Sequence, residues 1–401
     1  MFNEPPVYPG RLDPNGHFRN RRRTARRRRA IRRLAILSVI VAGIVAVALN
    51  ARFIGGEDDP KPATTPAASG ATENAASVAT GPQRPTEIRG VHVTGPLVAV
   101  GKLDDYLALA SAGLNTIQID LKDENGDVGL TPAPALARKI GAAQGFFDAR
   151  KVARKVHDAG LYLIGRIVVF EDPRLAAGRP ELALTRPDGS VWTDSSGLSW
   201  VSQYSREVWD YNVDLARAAV KAGFDEIMFD YVRFPSDDVD GVSFPDRVGE
   251  PRWRTIANFA EYATGALSPS GVRVGAALFG LAATKDLGIG QRPRLLAQSF
   301  DTIFPMTYPC LYGSGWYGID APWAQPGLTV SWSLSDFTEK LAGTDATLVP
   351  WLEDYDCQGR GVEYTPELVE QQVSAARRAR TGGFLLWNAY GAYTAEALAP
   401  R

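Results

Sequence analysis

The chain has 401 residues, with 44 Lys and Arg against 45 Asp and Glu and a formal net charge of −1 at pH 7, so global charge points to no polyanionic partner. About 310 residues follow an N-terminal low-complexity stretch, somewhat above the ~250 typical of a closed βα barrel, and they leave no room for a second full domain. With two cysteines, three scattered histidines and no CxxC spacing, a zinc site lacks a ligand set.

Residues 1–33 read as a basic cytoplasmic segment, almost wholly Arg between positions 21 and 33. Residues 34–54 read as a transmembrane anchor, because the uncharged run LAILSVIVAGIVAVALNA is about 18 residues long, the lower edge of what spans a bilayer. The Arg block should stay inside and send the rest outward, giving a single-pass protein at the cell membrane. A cleaved signal peptide, and hence a secreted protein, is the alternative, since Ala46-Val47-Ala48 fits a cleavage site. Next to an apolar run of spanning length, the Arg block is a weak candidate for a nucleic-acid arm, and no nucleic-acid partner is expected. Residues 55–85 are too poor in large apolar side chains to pack and should form a flexible tether.

From residue 86 to 401 the pattern is eight β-rich runs, each followed by a helix-like stretch, which predicts a (β/α)8 TIM barrel of the α/β class. The strands are predicted at 87–94, 116–122, 161–170, 226–235, 272–280, 302–309, 347–356 and 383–390. Helices are predicted at 103–112, 148–159, 206–222, 253–267, 293–299, 335–341 and 366–380, with a short eighth after Tyr393. Gly113, Gly160 and Gly223 stand where helix C-caps belong. Alternation in the second strand puts Thr116, Gln118, Asp120 and Lys122 on one face and Ile117, Ile119 and Leu121 on the other; the polar face should look into the barrel mouth. Arg166, alone in an apolar run, requires a carboxylate or a ligand, and Asp120 is a plausible partner. Residues 171–205 exceed an ordinary βα loop and should carry function. A hairpin turning at Asp188-Gly189 is expected there, and Trp192, Trp200 and Tyr204 read either as a sugar-stacking platform or as a satellite core.

Active sites of such barrels lie at the carboxyl ends of the strands. Sorting acids by strand end leaves Asp120, Asp230, and the Glu353, Asp354 and Asp356 group; with Tyr308, Trp351, Trp387 and Asn388 this has the make-up of a glycosidase. His92 reads as a packed or hydrogen-bonded barrel residue, and the acids at 123–127 and 237–240 as loop solvation. No GxxxxGK[ST], GxSxG or HExxH motif occurs, and no cofactor or metal is expected. Cys310 and Cys357 fall just past neighbouring strand ends and form a candidate disulfide, as suits an exported protein.

The runs VHVT at 91–94, IDLKD at 119–123, FDEIMFDYVRFP at 224–235, FPMTYP at 304–309, PWLEDY at 350–355 and LWN at 386–388 resemble the glycoside hydrolase family catalogued as DUF4015. The resemblance spans essentially the whole part after the linker, and FDYVRFP is its most specific piece. It implies a TIM barrel acting on a polysaccharide. The family more often has Gln where this chain has Glu353, which moves the expected strand-seven acid towards Asp354. On this basis Asp230 is the expected nucleophile or base and Asp354 or Glu353 the proton donor. Asp120, Lys122, Arg166, Tyr231, Arg233, Tyr308, Trp351, Trp387 and Asn388 are the expected substrate contacts, with Arg233 and Lys122 holding Asp230 and Asp120 ionised. The functional expectation is a membrane-tethered glycoside hydrolase acting on a cell-envelope or extracellular polysaccharide. A non-catalytic glycan-binding barrel, or a barrel lyase or deacetylase, stands as the alternative.

Overall fold

The computed structural model describes residues 81–357 and 359–400. The basic segment, the anchor and nearly all of the tether lie outside these residues; among the described residues no helix is long and apolar enough to cross a membrane. Eight parallel strands close on themselves in the order β1 (Ile88–Val93), β2 (Thr116–Lys122), β5 (Tyr162–Val168), β6 (Glu226–Asp230), β7 (Arg273–Phe279), β8 (Thr302–Met306), β10 (Trp351–Glu353) and β11 (Gly383–Trp387), which pairs back onto β1. Two further strands, β3 (Val128–Thr131) and β4 (Ala143–Asp148), extend the sheet outward from β2, and the pattern of the sequence did not announce them.

Where predicted strands end early, the backbone supplies the reason. The fourth stops at Asp230 because Tyr231 takes a left-handed φ of 55°, which no strand continues through. The seventh is divided into β9 (Thr347–Leu348) and β10, because Pro350 lies between them and has no N–H to give the ladder. The helix predicted at 335–341 begins earlier, as Pro326–Leu341, with Pro at its first turn. The helix Arg206–Ala222 stands as expected, closed by Gly223 at φ 106°, a conformation costly for any side chain.

Alternation along the strands sorts the barrel into two layers. Ile117, Ile119, Ile227, Phe229, Ile303 and Leu386 look outward and join the apolar stripes of the surrounding helices in one continuous core. Phe259, on the helix Arg252–Leu267, meets Phe170, Phe229 and Trp209 edge-on at 5.4, 5.5 and 5.8 Å. Each such buried side chain contributes about 1.5–3 kcal/mol of transfer free energy. The inward set carries the chemistry. At the amino ends of the strands it closes with Glu226, which accepts from Arg84 Nε at 3.2 Å and from the Tyr162 hydroxyl at 3.1 Å.

The long excursion after β5 packs its apolar side chains into that same core. The turn at Asp188-Gly189 forms, with Thr185 bridged to Val191. Trp192 and Trp200 are buried, and Tyr204 packs edge-on against Phe234 and Phe244. These aromatics are packed as the core expectation had it, but within the main core and not in a satellite.

Candidate active site

The centre of the barrel is organised by Arg166 on β5. Its Nε and one terminal nitrogen donate to Asp230 Oδ2 at 2.9 and 2.6 Å; the other terminal nitrogen donates to Asp120 Oδ1 at 2.9 Å, and Glu124 Oε1 accepts at 3.0 Å. The register explains the fit: Asp120 is paired directly with Arg166 across β2 and β5, while Asp230 pairs with Val168, one inward step further along β5. Below the guanidinium lies the Trp351 ring, 5.5 Å from its carbon, a cation–π contact in a site where the cation is 2 % exposed. Glu124, expected to solvate a loop, belongs to this cluster.

Asp120 also meets His92 Nε2 at 2.9 Å, and His92 lies against Trp351 and Trp387 at 5.9 and 6.1 Å. Burial alone would push the Asp120 carboxyl up, but His92 and Arg166 more than offset it and hold the group below its ordinary range. The histidine is thus a hydrogen-bonded barrel residue, as expected from the sequence.

Lys122 departs from the expectation. A bulge in β2 between Asp120 and Lys122 breaks the alternation, so Lys122 pairs with Ile167 instead of following Asp120 inward. Its ammonium donates to Asp172 Oδ2 at 2.6 Å and lies 4.9 Å from the Tyr211 ring, with both ions fully buried. Asp172 in turn caps the helix Pro173–Gly178 by accepting from Leu175 N at 2.8 Å. The pair is therefore a fastening between β2 and the long excursion, away from the carboxylate cluster. Arg233 is likewise engaged elsewhere: it lies 4.9 Å from the Trp200 ring and 5.0 Å from Tyr231 and donates to Phe234 O at 3.0 Å. Arg166, on β5, is the cation that serves both Asp230 and Asp120.

The two strand-seven acids occupy opposite situations. Glu353 shares a face with Trp351 and is fully buried. It accepts from Cys310 N at 3.1 Å and from the Tyr355 hydroxyl, and burial pushes its carboxyl up to about 8. Burial thus favours its protonated form near neutral pH. Asp354 points to the C-terminal loop instead, where Thr394 N and Oγ1 reach its two oxygens at 2.6 and 2.8 Å. Burial raises its pKa too, against those hydrogen bonds. Asn388 gives its amide to Asp354 O and accepts from Tyr390 N at 2.7 Å, which makes it a brace for this loop and not an open substrate contact.

Tyr308 joins the two halves of the site. Burial first, and then the Asp230 charge, push its phenol up against the opposing Arg166 guanidinium, with Glu353 adding to the rise. Its ring lies 6.0 Å from Trp387 and 6.3 Å from Tyr355. Tyr231, directly after Asp230, is buried against Trp200 at 5.9 Å, and its N–H returns to Asp230 Oδ1 at 2.6 Å. A left-handed non-glycine residue beside a candidate nucleophile is the kind of strain that clusters at functional sites. Cys310 and Cys357 form a disulfide with their Cα atoms 5.6 Å apart, tying the loop after β8 to the end of β10. Tyr355 and Thr394 had escaped the sequence reading. The first had a signal, since it stands two residues after Glu353 and thus on its face; the second, forty residues from Asp354, had none.

No curated protein matches the chain. A hypothetical protein from Ruminiclostridium thermocellum ATCC 27405 is 35 % identical over 46 % of this chain and 96 % of its own, with a TM-score of 0.43. The PgaB (BpsB) glycoside hydrolase domain from Bordetella bronchiseptica is 14 % identical, covering 75 % of this chain and 94 % of that one at a TM-score of 0.53, a likeness of fold. The model of DUF4015, described as "Putative glycosyl hydrolase domain", matches residues 90–393, from the first barrel strand to past the last. The chain belongs to the DUF4015 family of glycosyl hydrolase domains.

Proposed function

We propose that this barrel hydrolyses O-glycosidic bonds of a polysaccharide, with Asp230 as the anionic carboxylate and Glu353 as the proton donor. One observation carries the reading: two inward-facing carboxyls sit in opposite surroundings, Asp230 bonded twice to the Arg166 guanidinium and Glu353 fully buried with its pKa pushed up to about 8. A carboxylate held by a guanidinium and a second carboxyl raised by burial are surroundings suited to base and acid roles. In a retaining course Asp230 attacks the anomeric carbon while Glu353 protonates the leaving oxygen, and water then releases the sugar; in an inverting course Asp230 activates the water directly. Trp351 and Trp387 line the same interior and supply apolar walls for a pyranose ring. Asp354, with both oxygens on Thr394, is left as a loop fastener.

We also propose that the barrel works outside the cytoplasm, tethered by residues 34–54, on cell-envelope or extracellular glycan. The Cys310–Cys357 disulfide supports this, since such bonds persist in oxidising compartments, as does the Arg block ahead of the apolar run. Protease added to intact cells should degrade the barrel; full protection would overturn the placement.

The chemical test is a screen of neutral and charged polysaccharides with product analysis, run on the wild type and on Asp230→Asn, Glu353→Gln and Asp354→Asn variants. Asp230→Asn should abolish turnover while binding persists, Glu353→Gln should lower kcat by about 10²-fold or more, and Asp354→Asn should retain activity. Binding without cleavage by the wild type would favour the glycan-binding barrel. Full activity in Glu353→Gln with loss in Asp354→Asn would transfer the donor role to Asp354. Proton NMR of the first-formed anomer decides between retention and inversion.

A further inference from the structure

The loop after β8 does more than cover Glu353. Its start is held to the mouth by the Cys310 N–H on Glu353, and its end runs outward through Tyr312, Trp316 and Tyr317. Tyr312 is buried beneath the other two, with ring centroids 6.4 Å from Trp316 and 5.9 Å from Tyr317. Tyr317 meets Trp332, on the helix Pro326–Leu341, at 6.1 Å with the planes only 17° apart. Trp332 is 48 % exposed, and Leu328, one helical turn before it on the same face, is 46 % exposed.

The position of Tyr317 is imposed at a cost. Its φ is 57°, between Gly315 and Gly318, which also have positive φ. A side chain in that conformation persists only where its surroundings hold it. Here the hold is polar: the phenol donates to Asp336 Oδ2 at 3.0 Å and meets Thr284 Oγ1 at 2.9 Å, and Asp336 lies one turn after Trp332. The result is a fixed, half-open aromatic pair with hydroxyl and carboxylate groups along one edge.

We propose that Tyr317 and Trp332, edged by Thr284 and Asp336, form a distal subsite that holds an uncharged polysaccharide strand leading towards the barrel mouth. This rests on the hydrolase reading above and adds a second point of attachment to it. The outer face of Trp332, 48 % exposed and backed by the Tyr317 ring, suits the C–H face of a pyranose. The Asp336 carboxylate beside the rings repels polyanionic glycans and anionic membrane surfaces alike. Continuity with the mouth comes from the loop itself, which touches Glu353 at one end and Trp332 at the other.

The test uses the full-length chain carrying Asp230→Asn, to block turnover, in native gels containing laminarin, xylan, glucomannan or glycol chitin one at a time, with polygalacturonate as the charged control. At least one neutral polymer should retard it, and adding Trp332→Ala should weaken that retardation roughly five- to tenfold, the scale of one lost aromatic contact. Trp332→Phe should restore most of it, and thermal unfolding should be unchanged because the residue is half exposed. Equal retardation with and without Trp332→Ala, retardation by none of the neutral polymers, or retardation by polygalacturonate alone overturns the subsite. The two readings fail separately. Wild type that cleaves a polymer with the same KM as Trp332→Ala loses the subsite and keeps the hydrolase; Trp332-dependent retardation without cleavage by the wild type does the reverse.

Discussion

Replacing Arg166 by Met should expose how much of the barrel's stability runs through one cation. The side chain is 2 % exposed and makes four charge-assisted contacts between 2.6 and 3.0 Å, to Asp230, Asp120 and Glu124. Each such bond taken alone is worth about 1.5–3 kcal/mol, but bonds from one group are not additive. The relevant cost is that of leaving buried carboxylates without their partner, about 3–5 kcal/mol. Methionine fills a similar volume, so little of the loss should come from a cavity. The pH dependence gives the sign. Asp120 is held below its ordinary range in the folded protein, so its contribution is present above the unfolded carboxylate pKa of about 3.9 and lost as pH falls through the lower folded value. In the variant, acid protonates the stranded carboxylate and relieves the penalty. Urea unfolding should therefore show a gap of about 3–5 kcal/mol between wild type and variant at pH 7 that narrows clearly by pH 4. A gap below about 1 kcal/mol at pH 7, the range of a surface pair, or one that is the same at both pH values would refute the account.

Glu353 works in the opposite direction. Its raised value of about 8 means a stabilising contribution that is complete below the unfolded pKa and disappears as pH rises towards 8. Glu353→Gln should flatten that decline, leaving the variant more stable than wild type at pH 8 by on the order of a few kcal/mol in denaturant titrations; an unchanged slope would show the group is not protonated in the fold. Removing the disulfide with paired Cys310→Ser and Cys357→Ser changes should cost about 3–4 kcal/mol, from a loop spanning 47 residues, and unreduced wild type should offer no thiol to a labelling reagent. Lys122→Met should lower the melting temperature by stranding the buried Asp172 while leaving kcat per folded molecule unchanged; a selective fall in kcat would return Lys122 to the active site.

The barrel was legible because its evidence is periodic and local. Alternation in Thr116–Lys122, helix-closing glycines such as Gly113 and Gly223, and acids at strand ends are facts about neighbours in the chain, and they placed Asp120, Arg166 and Asp230 on one rim. The same logic misplaced Lys122, since a one-residue bulge reverses every inference from alternation and leaves no mark in composition. It also could not choose between Glu353 and Asp354. That choice depends on Thr394, Tyr355 and the Cys310 N–H, groups brought together by closure of the barrel and by its loops. Periodicity, through local backbone geometry, determines which face a side chain takes. Its protonation state and its partners depend on desolvation and on contacts between residues far apart in sequence, and those exist only once the tertiary structure has formed.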